Sequence, residues 1–271
     1  MKSTLIALIW AFWTTLAFAQ SSGLVRLDDR EDLLGWEAVG RLELAGQGFC
    51  TGTLIAPDLV LTAAHCAFDR RSGAQYPPDQ VIFRAGLQDG KSIADRQVTQ
   101  IVTPPEFVPN GQPSPERIRV DVALMRLDTP ISVALANPFV LHSGLDGKTE
   151  VSLSSYGADR SEAISRQRSC QVLFSGEGLY AFDCDVTFGT SGSAVMMRVG
   201  NRGRIVSVIS AMAQAPDGRR IAWGMDLPDV VTRLKRQMRR DAVAPRAEIR
   251  RLGNGSDRST LGAKFVRPGG S

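Results

Sequence analysis

Residues 184–195 read Cys184-Asp185-Val186-Thr187-Phe188-Gly189-Thr190-Ser191-Gly192-Ser193-Ala194-Val195, and the rest of the chain is organised around this stretch. Glycines on either side of a single serine allow the backbone to turn sharply. Such a turn pushes the Ser191 hydroxyl outward, while the amide N–H groups of Gly189 and Ser191 converge on one point. The stretch therefore predicts a nucleophile beside an oxyanion hole.

A serine hydroxyl is a poor nucleophile at neutral pH, so it needs a base and a third group that orients the base. The sequence has two histidines, His65 and His142. His65 ends an apolar run that leads into a turn of small residues, whereas Asp121 interrupts another apolar run and is expected to point inward. A buried carboxylate needs a partner, and the imidazole of His65 supplies one. We therefore predict that Asp121 orients His65 and that His65 activates Ser191, with His142 a surface or packing residue.

At these three places the sequence resembles the trypsin-like (chymotrypsin-fold) serine proteases. Their histidine motif is similar to Cys50-Thr51-Gly52-Thr53-Leu54-Ile55-Ala56 with Leu59-Val60-Leu61-Thr62-Ala63-Ala64-His65-Cys66, their aspartate motif to Asp121-Val122-Ala123-Leu124, and their serine motif to Gly189-Thr190-Ser191-Gly192-Ser193. The order and spacing match over roughly residues 36 to 227, and the histidine motif is highly specific. The resemblance implies two packed barrels and hydrolysis of peptide bonds.

The serine motif departs from the animal trypsin pattern at two places. Thr190 stands where that pattern has an aspartate that pairs with a newly cut N-terminal amine, and threonine cannot form this ion pair. Ser193 and Ala194 replace a glycine and a proline, so that Gly-x-Ser-Gly-Ser is more similar to the bacterial glutamyl-endopeptidase branch. We therefore expect no amine-dependent activation switch and place the chain closer to that bacterial branch.

The chain of 271 residues is 43% hydrophobic and contains 26 glycines and 14 prolines, which suits a loop-rich globular fold. Short apolar or alternating runs separated by turn residues predict strands at 38–44, 51–56, 59–63, 81–87, 96–103, 121–127, 151–156, 168–174, 179–185, 193–199, 204–212 and 220–226. We predict an all-β fold of two packed six-stranded antiparallel β-barrels, about 36–135 and 136–227. His65 and Asp121 then come from the first barrel and Ser191 from the second, which places the site in the crevice between them.

The four cysteines allow three pairings. Cys50 with Cys66 is favoured because it ties the strand before the histidine turn to the turn itself, and this agrees with the local disulfide of the family's histidine motif. Cys170 then pairs with Cys184, just ahead of the nucleophile. A zinc site is disfavoured because no close Cys-x-x-Cys pair exists, and free buried thiols remain the simplest alternative. We predict no metal and no cofactor.

Both ends of the chain differ from the middle. Residues 1–19 have a basic start, an apolar stretch and Ala17-Phe18-Ala19, which is typical of a secretory signal peptide rather than a membrane anchor. Residues 20–35 are polar and are expected to form an extended arm or a short propeptide. Pro228 opens an amphipathic helix, 228–240, which we expect to pack against the second barrel.

The positive charge of the chain is concentrated after residue 232. Residues 233–267 contain eleven Lys or Arg and three Asp or Glu, a net charge of +8, whereas the whole chain carries +4. Residues 241–271 have few apolar residues and are predicted to be a disordered basic tail. Two interpretations stay open: a solvated tail, or one that contacts an anionic surface such as membrane phosphate or nucleic acid. Under either interpretation, we expect the protein to be active without nucleic acid.

The residues that set cleavage preference are less clear from the sequence. Asp185 lies six residues before Ser191, where trypsin-like enzymes have the base of the primary pocket, so that it either attracts Arg or Lys or accepts backbone hydrogen bonds. Ile209 stands where Glu-specific relatives have a histidine, which argues against a preference for Glu. Ser210, Ala211 and Met212 are predicted to form the backbone edge that pairs with substrate.

These features predict a secreted or periplasmic serine endopeptidase that acts on polypeptides through His65, Asp121 and Ser191 and an acyl-enzyme intermediate, and we expect a monomer. Two alternatives remain. One is a protease-like binding protein without turnover, and the other is an esterase that uses the same residues.

Overall fold

The computed structural model describes residues 22–147 and 149–243, and most of the regular secondary structure in this part of the chain is β-strand. The strands in chain order are β1 Leu24–Arg26, β2 Val39–Leu44, β3 Phe49–Ala56, β4 Leu59–Thr62, β5 Val81–Ala85, β6 Ala94–Val102, β7 Ala123–Leu127, β8 Glu150–Gly157, β9 Arg160–Gly176, β10 Leu179–Phe182, β11 Ala194–Val199, β12 Arg202–Val208, β13 Ala211–Gln214 and β14 Arg220–Met225. The helices are α1 Pro115–Arg119 and α2 Pro228–Val243, and two 3-10 turns lie at Ala64–Ala67 and Pro78–Gln80. The predicted signal peptide and all but the first three residues of the predicted tail lie outside the described residues.

The first half of the chain forms a closed antiparallel barrel with the strand order β2-β3-β4-β7-β6-β5. Alternate residues of these strands point inward and are fully buried, among them Leu42, Phe83 and Leu124. The Phe83 ring fills the space above Gly40, where an added Cβ would lie 2.5 Å from the ring. The predicted six-stranded barrel is therefore confirmed for this half.

The second half is a curled open sheet rather than the predicted closed six-stranded barrel. Its strand order is β12-β11-β8-β9-β10-β14-β13, and β1 pairs with β9. The predicted strand 204–212 is interrupted at residues 209–210, whose N–H groups donate to Ser193 and Trp223 instead of continuing one ladder. The two end strands of the sheet, β12 and β13, are thus consecutive in the chain but do not form one strand.

Strand β9 is much longer than the predicted 168–174 because it pairs with three strands. Its first part pairs with β8, its last part with β10, and Gln167 lies opposite Leu24 of β1. The first residues of β9 are polar, so the sequence does not distinguish them from a loop. They belong to the sheet because they pair with β8 and β1. The predicted N-terminal arm is therefore partly a strand of the second half.

Helix α2 begins at Pro228 and buries the predicted face, Val230, Val231, Leu234 and Met238. It packs against β6 and β7 of the first barrel, so the prediction that it packs against the second barrel was wrong. The reason is the complementary surface of β6, where the Gln100 side chain donates to the Met238 carbonyl at 3.1 Å. In the described ranges, no helix has the length and apolar composition needed to span a membrane.

Both predicted disulfides are present. Cys50–Cys66 joins β3 to the 3-10 turn that carries His65, and Cys170–Cys184 joins β9 to the segment before Ser191. Cys50, His65 and Cys66 have potential metal-ligand atoms within 4.8 Å of one another, but both sulfurs are bonded to each other and offer no thiolate.

Candidate active site

His65 and Asp121 form a tightly hydrogen-bonded pair in the first barrel. The apolar strand β4 ends at Thr62, and the 3-10 turn that follows carries His65. His65 Nδ1 lies 2.8 Å from Asp121 Oδ2, and the His65 backbone N–H donates to Asp121 Oδ1 at 2.8 Å. The imidazole is held by both its ring and its backbone, so its orientation is fixed.

The carboxylate of Asp121 is fully buried, yet its surroundings favour its charged form. Burial raises the pKa of Asp121, but the nearby His65 ring and the hydrogen bonds from His65 and Ser210 outweigh this and lower the pKa below its usual value. Ser210 Oγ donates to Oδ2 at 2.5 Å. An ionised Asp121 accepts the proton of Nδ1, which leaves the lone pair of His65 on Nε2.

The loop that carries Ser191 depends on two glycines with positive φ. Gly189 has φ +91°, and an added Cβ would lie 2.3 Å from the Phe49 ring. Gly192 has φ +78°, and an added Cβ would lie 2.0 Å from Thr62 Oγ1 and 2.6 Å from the Thr51 carbonyl. A side chain at either place would collide with the first barrel, so the sequence Gly-x-Ser-Gly allows the serine loop to approach it.

The N–H groups of Gly189 and Ser191 donate to no acceptor within the described part of the chain. The Phe188 carbonyl, in the same peptide unit as the Gly189 N–H, accepts from Ala158 N–H at 2.7 Å. Because the C=O and N–H of a trans peptide point in opposite directions, this bond turns the Gly189 N–H away from Ala158. Two unpaired donors of this kind can stabilise a developing negative charge.

Thr51 of β3 connects the first barrel to the serine loop. Its N–H donates to the Ser191 carbonyl at 3.0 Å, and its hydroxyl donates to the Gly189 carbonyl at 2.9 Å and accepts from Tyr156 N–H at 3.0 Å. Thr51 is fully buried. Sequence reasoning did not single out Thr51, because its role depends on partners more than 100 residues away.

Thr190 is buried, and its hydroxyl organises the turn before Ser191. The hydroxyl accepts from Thr187 N–H at 3.2 Å and donates to the Tyr156 carbonyl at 3.4 Å, and Arg160 Nη2 lies 3.4 Å away. The Arg160 guanidinium is also held by the carbonyl and hydroxyl of Ser155. At the position where the animal pattern has an acid, this chain therefore has a threonine whose partners are two neutral backbone groups and the guanidinium of Arg160.

Two cavities meet at His65 and Ser191. One has a volume of about 430 Å³ and is lined by Val186, Thr187 and residues 209–212, among others. The other has a volume of about 240 Å³ and is lined by Phe49, Tyr76, Ala158 and Gly189, among others. His65 and Ser191 line both, so the two cavities together form one cleft that these two residues share.

Strand β13 contains two of the three residues predicted to pair with substrate. Ala211 and Met212 lie opposite Trp223 and Ala222 of β14, and β13 is the last strand of its sheet path. Its second edge has no strand partner among the described residues. Ser210 precedes this edge and donates its hydroxyl to Asp121, which the sequence did not indicate.

Asp185 does not line the cleft. Its side chain is about half exposed and lies 3.7 Å from Arg220 Nη1, while its N–H donates to the Gln167 side chain at 2.7 Å. The interpretation of Asp185 as the acid at the base of a pocket for Arg or Lys therefore finds no support, because its charge faces Arg220 and solvent. His142 is partly buried, donates its N–H to the Ile205 carbonyl and lies outside the cleft lining.

The fold and the site define a class: a two-part β protein with an imidazole–carboxylate pair beside a serine whose loop carries free N–H donors. The trypsin family model matches residues 34–233. The chain belongs to the trypsin family.

Comparisons with known proteins agree with this assignment. The chain is 31% identical to mouse serine protease 56 over 53% of its length and 25% of that protein, and 27% identical to the glutamyl endopeptidase of Bacillus licheniformis over 57% of its length and 47% of that protein. It therefore spans half or less of these relatives. A solved structure of a Glu endopeptidase in complex with MPD covers 81% of the chain and 97% of that structure, with a TM-score of 0.66 and 20% identity. A thermostable serine protease from an extremophilic microorganism gives a TM-score of 0.60 at 17% identity, covering 74% of the chain and 96% of that structure. At these identities the two structures show a shared fold.

Proposed function

We propose that the protein is a secreted serine endopeptidase that uses Ser191, His65 and Asp121 to hydrolyse peptide bonds. The observation that carries the proposal is the His65–Asp121 pair, with Nδ1 2.8 Å from Oδ2, in a cleft that Ser191 also lines. The named activities of the relatives, serine protease and glutamyl endopeptidase, support the same reaction class.

In the first step His65 Nε2 removes the proton of the Ser191 hydroxyl as the oxygen attacks the substrate carbonyl carbon. The resulting imidazolium is stabilised by the ionised Asp121, which also holds the tautomer that leaves Nε2 free. The carbonyl oxygen becomes negatively charged, and the N–H groups of Gly189 and Ser191 donate to it. Breakdown of this intermediate transfers the proton from His65 to the leaving amine.

In the second step the acyl group is bound to Ser191 Oγ as an ester. Water attacks this ester while His65 Nε2 accepts a proton from it, and collapse of the second intermediate returns the proton to Ser191. The same groups therefore serve both halves of the reaction. No cofactor is needed for this chemistry.

The unpaired edge of β13 gives the substrate an extended binding mode, in which its backbone adds to the sheet at Ala211 and Met212. The residues of the second half that line the larger cavity, residues 186–188, Ser191 and 209–212, are all uncharged, and the charged lining residues Asp69, Arg70 and Arg117 come from the first half. We therefore expect neutral side chains immediately before the cleaved bond, rather than the Glu of the glutamyl endopeptidase relatives or the Lys and Arg that a pocket acid would select.

Two features support the proposed secretion to an oxidising compartment. Residues 1–19 have the composition of a signal peptide, and all four cysteines are in disulfides. We expect the mature chain to begin near Gln20. Sequencing the N-terminus of the exported protein tests both points, and retention of Met1 in the exported form contradicts them.

The test of the reaction combines labelling with product mapping. A fluorophosphonate should label the full chain at Ser191, and a denatured protein mixture should yield new peptide ends that mass spectrometry identifies. The Ser191→Ala variant is the matched control and should show neither. A wild-type chain that stays unlabelled and yields no new ends is a binding protein, whereas turnover of short esters without any cleaved protein identifies an esterase.

A further inference from the structure

Another cavity, of about 440 Å³, is lined mainly by residues of the second half and has no lining residue in common with the two cavities at Ser191. Three arginines, Arg166 of β9 and Arg198 and Arg202 of the β11–β12 hairpin, line it together with Trp36 and Phe139. No acidic residue is among the lining residues. We call this cavity the arginine cavity.

The three arginines of the cavity have no carboxylate partner within residues 22–147 and 149–243. No ion pair between described residues involves Arg166, Arg198 or Arg202. Burial, followed by the positive charges of Arg168 and Arg198, lowers the pKa of Arg166, and no acid opposes this effect. Residues 1–21, which precede the described part, contain no Asp or Glu that could neutralise the cluster. The cavity is therefore a concentrated positive region in a body whose remaining charge is negative.

The guanidinium groups are held in place without using all their N–H donors. Arg166 stacks on Trp36 with its Cζ 4.1 Å from the ring centroid, and its guanidinium group makes no hydrogen bond to the described residues. The Cζ of Arg202 lies 5.2 Å from the centroid of the Phe139 ring, and its Nη2 donates to the carbonyls of residues 137 and 138. Arg198 donates only through Nε, to the Gly200 carbonyl at 3.1 Å. The remaining donors have no acceptor in the described part of the chain, so they are available to a ligand.

The two aromatic rings form a rigid base for these cations. Trp36 and Phe139 contact each other with centroids 5.7 Å apart, and Phe139 is almost completely buried. An arginine stacked on a ring loses little further freedom when it binds an acceptor, so the ordering cost of binding is small. Planar guanidinium groups donate paired N–H groups to phosphate and sulfate oxygens.

We propose that the arginine cavity is a binding site for a tetrahedral oxyanion, a phosphate or sulfate group, held by the free N–H donors of Arg166, Arg198 and Arg202. The ligand is either the inorganic ion or an organic monoester whose remaining part lies against Trp36 and Phe139. The site is separate from the cleft, so this proposal does not depend on the proposed catalytic activity.

Isothermal titration calorimetry on the full chain with Ser191→Ala tests the proposal without self-cleavage. The titrants are inorganic phosphate, sulfate and phenyl phosphate, with sodium chloride at matched ionic strength as the reference. We expect saturable binding with one site per chain for phosphate or sulfate. Tighter binding of phenyl phosphate than of inorganic phosphate identifies an organic ester as the ligand, and equal binding identifies the inorganic ion.

Arg198→Gln is the decisive variant because its side chain is exposed and its loss should leave the fold intact. It should weaken binding about tenfold or more, and Arg166→Gln should do the same. Arg219→Gln removes an equal charge from the β13–β14 turn and should leave the affinity unchanged. The proposal is overturned if millimolar phosphate and sulfate give no saturable heat, or if Arg219→Gln weakens binding as much as Arg198→Gln does.

Discussion

The hydroxyl of Thr51 offers the sharpest test of how the first barrel supports the serine loop. Thr51→Val keeps the shape of the side chain and removes the group that donates to the Gly189 carbonyl at 2.9 Å and accepts from Tyr156 N–H at 3.0 Å. The backbone bond from Thr51 N–H to the Ser191 carbonyl remains. The variant therefore changes how the Gly189 peptide is held and leaves His65, Asp121 and Ser191 unaltered.

The size of the effect follows from the two bonds that are lost. Each buried polar group left without a partner costs about 1–3 kcal/mol, so the loss of two partners should lower the free energy of unfolding by about 2–6 kcal/mol. The bond to Gly189 accounts for about half of this, or about 1–3 kcal/mol of loop positioning. If that amount is lost from stabilisation of the negatively charged intermediate, kcat falls by about tenfold to a hundredfold, since 1.36 kcal/mol corresponds to a factor of ten.

Steady-state kinetics on a peptide substrate, with denaturant unfolding of the same samples, measures both quantities. The expected pattern is a lower kcat with an unchanged KM, because the oxyanion donors act on charge that develops only in the transition state. Thr53→Val is the matched control: Thr53 is also on β3 and fully buried, but its hydroxyl has no hydrogen-bond partner among the described residues. It should retain activity and stability.

Two outcomes would refute this reasoning. An unchanged kcat in Thr51→Val, with the expected loss of stability, would show that the bond to Gly189 is only structural. An equal loss of activity in Thr53→Val would show that β3 tolerates no change of side chain, whatever its hydrogen bonds.

Two further predictions concern the neighbours of Ser191. Asp121→Asn should lower kcat about 10⁴-fold, because a neutral amide neither fixes the tautomer of His65 nor stabilises its cation. The net effect of its surroundings is to lower the pKa of Asp121, so the carboxylate stabilises the fold above the unfolded pKa of about 4 and loses this contribution as the pH falls through the folded value. The difference in free energy of unfolding between the Ser191→Ala protein and its Asp121→Asn derivative should therefore shrink at acid pH. A difference that stays constant with pH contradicts the assignment. Thr190→Val removes contacts of 3.2–3.4 Å, longer than those of Thr51, so its loss of kcat should be smaller than that of Thr51→Val, and the reverse order would show that Thr190 is the main support of the loop.

The parts of the site that the sequence could predict are those with a local signature. His65 follows an apolar strand and a turn of small residues, and Ser191 lies between glycines whose positive φ is needed for close approach to the first barrel. The Cys50–Cys66 disulfide could be predicted because it joins a strand to a nearby turn, and Cys170–Cys184 then followed as the pairing of the other two cysteines. The six strands of the first barrel could be placed for the same reason, since their alternating pattern does not depend on distant partners.

The parts that the sequence could not predict depend on which residues meet across the chain. The hydroxyl of Thr51 finds Gly189, and the long strand β9 is held by partners on both sides, although its first residues are polar. Helix α2 was placed on the wrong half because an apolar helix face does not specify its partner. Asp185 matched a family position, but the residue that faces it, Arg220, lies on a strand 35 residues further along.

Asp121 shows why the two halves should not separate during the reaction. Its buried carboxylate accepts three hydrogen bonds, two from His65 in the first barrel and one from Ser210 in the second half. Opening the cleft would remove the Ser210 donor from a buried charge, and it would also break the bond between Thr51 N–H and the Ser191 carbonyl. Both losses oppose opening, whereas the cavities on either side of Ser191 already give access to an extended chain. Since Ser210 directly precedes β13, the strand that should receive the substrate is anchored to the same carboxylate that orients the base. We therefore expect the cleft to work as a fixed frame, in which the proposed binding of substrate along β13 aligns the peptide bond with groups that are already in place.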